Sequence, residues 1–202
     1  MKFLKILPCL VIAASLFAVV GCSKRHVTRI ATDSTTDLSG RWNDTDSRLV
    51  SQEMINTCLS APWKAQHLDR KSKRPTLIVG LLRNKTTEHI AMDTFIGDIE
   101  RSFINSAEVT VVASAVEREQ LREERADQQT YASEETVKEW GREKGADYML
   151  GGTISSITDQ EGGKKVVFYQ VDLTLINLED NSKVWLGQKK IKKYIGKGKL
   201  SL

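Results

Sequence analysis

The chain is poor in the residues that carry chemistry. Its three histidines, His26, His67 and His89, lack metal-ligand spacing and have no cysteine beside them, which argues against a zinc site. There is no G-x-S-x-G elbow, so a serine-hydrolase reading has no nucleophile. A glycine-rich phosphate loop is missing too. Gly151-Gly152 and Gly162-Gly163 sit in β-rich surroundings, and neither leads into a helix pattern with a lysine. Carboxylates are plentiful, but Glu117 to Arg125 mixes both signs, as a solvated helix face does. Charge of one sign is lacking as well. With 30 Lys and Arg against 26 Asp and Glu, the formal charge is only +4, too balanced for a strongly cationic nucleic-acid binder. No internal repeat of solenoid period occurs. Together these absences leave the sequence with no candidate catalytic residue, no cofactor motif and no metal site.

What is present begins at the N-terminus. Met1 to Lys5 carries two lysines and no acid, and Ile6 to Val20 is almost wholly apolar. The run is short for a membrane span and has the layout of a secretory leader. It closes on Val19-Val20-Gly21-Cys22, which resembles the lipobox of bacterial lipoproteins. That resemblance implies removal of residues 1–21 and acylation of Cys22. Several chains on one cysteine hold firmly, whereas a single chain binds reversibly. Ser23 rather than an acid follows, which by similarity to the enterobacterial sorting rule favours the outer membrane, periplasmic side. Losing Lys2 and Lys5 lowers the formal charge from +4 to +2. Only Cys58 then remains as a free thiol, so the processed chain has no internal disulfide. Its spacing from Val50 and Met54 predicts a buried, structural thiol.

Residues 22–45 read as a lipidated cysteine and a polar tether, rich in Ser, Thr, Asp and Arg. Such a tether spans at most about 80 Å extended and about 25 Å as a coil. The globular domain is expected over 46–202. Leu49-Val50, Met54-Ile55 and Cys58-Leu59 recur at helical spacing. Pro62 ends that helix or opens a short second one carrying Trp63 and Leu68. Thr76 to Leu82 is a continuous apolar run and predicts a strand buried on both faces. Met92, Phe95, Ile99 and Phe103 stripe a further helix, and Val109 to Val112 reads as a short strand. Ser114 and Glu117 form a capping box at the start of the next helix. Ser133 is expected to cap another, with Val137 and Trp140 turned inward. From Asp147 the period becomes two, and three strands follow as an antiparallel meander. The fold class is therefore α/β, one mixed sheet with helices packed on it.

Two surface features invite function. The loop Arg83 to Thr87 follows the first strand, and ligands gather at the carboxyl ends of strands in open α/β sheets. Asn84, Thr86 and Thr87 are therefore candidate partner contacts, although a plain Asn turn explains the same residues. Lys189, Lys190, Lys192, Lys193, Lys197 and Lys199 crowd the C-terminus. They suit either a charge-protected edge strand or a patch for anionic headgroups or an acidic partner.

The order of these elements resembles the LpoB-type lipoproteins, outer-membrane activators of peptidoglycan synthases. The resemblance rests on Cys22, on the apolar strand into Arg83-Asn84-Lys85-Thr86, on Gly145 to Leu150, and on Val171 to Leu175 followed by Val184-Trp185. It spans roughly Ser51 to Lys193. The same strand pattern is similar to the curli secretion lipoprotein and to the N-terminal domain of the Tol–Pal periplasmic protein. The first resemblance implies a non-enzymatic lipoprotein that docks on a class A penicillin-binding protein and activates it allosterically. A secretion or assembly lipoprotein and a wall-binding scaffold touching peptidoglycan stay open as alternatives.

Overall fold

The computed structural model describes residues 26–133, 135 and 143–196. The leader, Cys22, the helix expected around Val137 and Trp140, and Lys197 and Lys199 lie outside the described residues. The chain divides into two units, one ending at Ser34 and one starting at Thr35. In the first, residues 26–34 form no helix or strand, and one turn is closed where the Ser34 hydroxyl donates to the Ala31 carbonyl at 2.6 Å. Everything below concerns the second.

Helix α1 spans Asp44–Ser60 and starts at a reciprocal capping box. The Asp46 amide donates to Asn43 Oδ1 at 3.1 Å, and the Asn43 amide donates to Asp46 Oδ2 at 3.0 Å. Its inward stripe is Val50, Met54, Ile55, Cys58 and Leu59. Cys58 is fully buried, and burial pushes its thiol up to about 12, so at neutral pH it is an inert apolar group. Helix α2 follows at once over Trp63–Lys71. It carries Trp63 and Leu68 as expected and buries Trp63 and His67, whereas Leu68 is 52% exposed. Positions 63 and 67 are four apart and share one helix face, whereas 68 has turned away.

Strand β1 runs Thr76–Asn84, α3 Met92–Ser106, β2 Thr110–Val111 and α4 Ala115–Tyr131. Phe95, Ile99 and Phe103 recur every four residues along α3 and are fully buried. The capping box of α4 is formed as expected, with the Ser114 amide donating to Glu117 Oε2 at 2.7 Å. Strands β3 (Tyr148–Glu161), β4 (Lys164–Asn177) and β5 (Lys183–Ile195) make the meander. Gly162 and Gly163 turn it with φ of 55° and 78°, a left-handed pair that suits a two-residue hairpin.

The sheet order is β2-β1-β3-β4-β5. β1 pairs parallel with β2 and β3, and the meander is antiparallel, so the sheet is mixed as expected. Helices α1 and α3 cover one face, where Leu77, Val79, Leu150, Ile154, Val171, Leu173 and Leu175 close the core. One strand departs from expectation. The register of β1 against β3 slips between Val79 and Leu82, which is a bulge. The slip returns Leu82 to the core and leaves Leu81 outside, 65% exposed. An unbroken apolar run therefore belongs to a strand covered on one face only. Leu81, Ile157, Leu186 and Tyr194 stay 65–68% exposed on the opposite face.

Candidate functional site

The segment expected to be tether through Thr45 is docked from Asp37 onward. Trp42 packs edge-on against Phe95 and Tyr169, at 6.0 and 5.6 Å between ring centres. Its indole nitrogen donates to the Ser47 hydroxyl at 2.7 Å. Gly40 crosses over Ile195 with φ of 67°, and a Cβ there would lie 2.3 Å from that side chain. Lys193 reaches back from β5 to Asp37 at 2.7 Å and to Asp46 at 2.6 Å. Burial alone would push the Lys193 ammonium down, but the bonds to both carboxylates outweigh it and hold it above its ordinary value. The same bond to Lys193 holds Asp37 below the usual carboxylate range.

The lysine strand thus has two populations. Lys189 pairs with Glu53 and Lys193 with Asp37 and Asp46, all on the helix-covered face. Lys190 and Lys192 alternate with them, point the other way and are exposed. β5 is an edge strand, so these cations also guard its free edge.

Asn84 ends β1, as its position in the apolar run requires, and its side chain turns inward to hold the following loop. Its amide donates to the Glu88 carbonyl at 2.7 Å. Its Oδ1 accepts from the Thr86 amide at 2.9 Å and from the Thr86 hydroxyl at 2.7 Å. The loop is fastened below as well. Glu88 accepts from the Tyr169 hydroxyl at 2.8 Å and from the Trp42 amide at 3.0 Å. Asn84 and Thr86 are therefore half-buried, and Thr87 is the one of the three left exposed. Burial, and then the bond to Glu88, push the Tyr169 phenol well up, so it stays a proton donor. Trp42 and Glu88 escaped the reading of the sequence, because neither stands in a periodic pattern.

A second cluster lies at the opposite ends of the strands. His67 is 2% exposed and faces Tyr148, whose hydroxyl is 3.1 Å from His67 Nδ1. The other ring nitrogen, Nε2, has no hydrogen-bond partner and sits 3.9 Å from Asp147 Oδ2. Burial holds the imidazole below its ordinary value of 6.5, with Asp147 opposing, so it is neutral at pH 7. Among the described residues no group of His, Cys, Asp and Glu could hold a metal ion. None of their helices is long and apolar enough to cross a membrane.

With this geometry in place the comparisons become informative. The family model of the peptidoglycan-synthase activator LpoB matches residues 46–191. The chain belongs to that family, whose members are regulators of peptidoglycan synthases. Among solved structures it is similar to the LpoB C-terminal domain from Salmonella enterica, at 18% identity over 73% of this chain and 99% of that one, with a TM-score of 0.42. The corresponding domain from Escherichia coli gives 19% identity, the same two coverages and a TM-score of 0.42. Lipoprotein GNA1162 from Neisseria meningitidis gives 13% identity over 59% of this chain and 83% of that one, with a TM-score of 0.39. No curated protein sequence matches the chain.

Proposed function

We propose that the chain is a lipoprotein anchored through Cys22 to the outer membrane, on its periplasmic side, and that its domain binds and activates a class A penicillin-binding protein. The observation that carries this reading is the match of the activator family over nearly the whole folded domain, residues 46–191. The lipobox-like Val19-Val20-Gly21-Cys22 supplies the anchor and the compartment. Activation of this kind is allosteric: the domain binds the active conformation of the synthase more tightly than the resting one. The Asn84 turn is the proposed contact. Asn84 and Thr86 set its shape, and Thr87 presents its side chain to the partner.

The test is a polymerisation assay with the full-length lipoprotein in detergent and a class A synthase from the same organism. A raised rate of glycan polymerisation is expected. An unchanged rate together with no measurable binding to any class A synthase of that organism overturns the reading. Cys22→Ala removes the acyl mass from the purified protein if the anchor is assigned correctly.

A further inference from the structure

The docked strap, Asp37 to Asn43, and the Asn84 turn share one residue. Glu88 is half-buried, and its side chain and backbone serve different neighbours. The carboxylate holds the strap and the sheet. Oε2 accepts from the Trp42 amide at 3.0 Å, and Oε1 accepts from the Tyr169 hydroxyl at 2.8 Å. The backbone closes the turn. The Glu88 carbonyl accepts from the Asn84 side-chain amide at 2.7 Å, and the Glu88 amide donates to the Thr86 hydroxyl oxygen at 3.1 Å. Trp42 and Tyr169 stand 46 and 81 residues from Glu88 along the chain, so tertiary packing brings them together.

The strap is fastened from outside by contacts that do not involve Glu88. Lys193 donates to Asp37 at 2.7 Å and to the Arg41 carbonyl at 3.1 Å, and Gly40 crosses over Ile195. It can therefore dock or lift as a piece. When it lifts, Oε2 loses the Trp42 amide, and Tyr169 loses the Trp42 ring packed beside it at 5.6 Å. Water then reaches the Tyr169 bond and competes for the carboxylate. The placement of residue 88 matters for its neighbour. The Thr87–Glu88 peptide group is held by the Glu88 amide on the Thr86 hydroxyl, so the direction of the Thr87 side chain follows Glu88. An element with two states that shares a residue with a site biases that site, and the site biases it in return.

We propose that Glu88 is a positioning residue through which docking of the strap holds the Asn84 turn in the shape that a protein partner reads at Thr87. This deepens the proposed function and rests on that turn being the synthase contact. With the strap docked, the turn is set for binding. With the strap lifted, the carboxylate turns to water and the turn loosens. A partner bound at Thr87 tightens the strap by the same linkage. The other end of β1 supplies the control: there the Thr76 amide donates to Asp147 Oδ2 at 2.9 Å, in a network without Glu88.

Hydrogen exchange of the full-length lipoprotein in detergent tests the coupling. The Trp42 and Asn43 amides report the strap, Thr86 and Glu88 the turn, and Thr76 the far end. Gly40→Val lifts the strap from outside, since residue 40 has φ of 67° and a Cβ would lie 2.3 Å from Ile195; Trp42→Ala is the second route if the strap stays docked. Strap and turn amides are expected to exchange faster together, by about fivefold or more, with Thr76 unchanged. A lifted strap with Thr86 and Glu88 unchanged overturns the proposal, and so does an equal rise at Thr76, which marks a general loss of stability. Glu88→Ala should free strap and turn together, and Glu88→Gln, which keeps an acceptor for Trp42, should restore them. A strap that stays docked in Glu88→Ala sinks the idea. Affinity of Gly40→Val for a class A synthase should fall by about fivefold or more, with stimulation at saturation kept. A loosened turn with unchanged affinity removes the role of Glu88 in binding. If the parent neither binds nor stimulates any class A synthase, the activator reading falls, and the exchange rates still decide the coupling.

Discussion

Two polar clusters sit at opposite ends of β1, and they differ in whether their hydrogen bonds are spent. In the Asn84 turn, Asn84, Thr86 and Glu88 satisfy one another and fasten the Asp37 to Asn43 segment below them. At the α2 end, His67 Nε2 has no partner and three hollows open around Arg70. A closed network makes a rigid platform whose outward residues can be read by a protein. An open one leaves a buried ring nitrogen unmade beside hollows that solvent can enter, which costs stability. Polar composition alone does not distinguish the two, because both are rich in Asn, Thr, Asp and Glu.

The contrast can be broken from the closed side first. Trp42→Ala removes the ring that joins the strap to Phe95 and Tyr169, and is expected to cost about 3 kcal/mol in urea denaturation. Asn84→Ala deletes three side-chain bonds at a half-buried site and should cost about 2 kcal/mol, the turn losing its protection in hydrogen exchange. From the open side the effect is a slope in pH. His67 has a folded value below its unfolded 6.5, so the unfolded chain binds the extra proton between the two. The stability linked to this group is thus fully present above 6.5 and lost as pH falls toward the folded value. Melting curves between pH 7 and 5 should show this decline, and His67→Phe should flatten it. Thr87→Ala is the smallest perturbation, within about 0.5 kcal/mol in stability, because the side chain is exposed. It should nonetheless weaken synthase binding; unchanged affinity would reduce the loop to a turn.

Much of the architecture was legible because the helices and the meander carry clean periods. The α3 stripe at Phe95, Ile99 and Phe103 and the alternation from Val167 to Leu175 state which face is inward. The errors fell where a pattern has no local marker. The apolar run Thr76 to Leu82 gives no sign of the bulge that expels Leu81, since leucine stands at both positions 81 and 82. The candidate contacts were named for their position after β1, and the plain Asn turn weighed beside that reading describes the bonds that Asn84 and Thr86 make. Asp37, Trp42 and Glu88 meet from three separate stretches of chain, and one sequence offers no sign of such a meeting.

The strap from Asp37 to Asn43 also sets a local concentration. With the lipid on Cys22, chain as far as Thr45 would let the domain sweep a radius of about 80 Å. In the proposed lipid-anchored form, docking shortens the tether to residues 23–36, about 50 Å when fully drawn out. The accessible volume scales with the cube of that radius, so it shrinks roughly fourfold and a partner inside it meets the domain roughly four times as often. Loosening Trp42 would then do two things at once: destabilise the domain and dilute it.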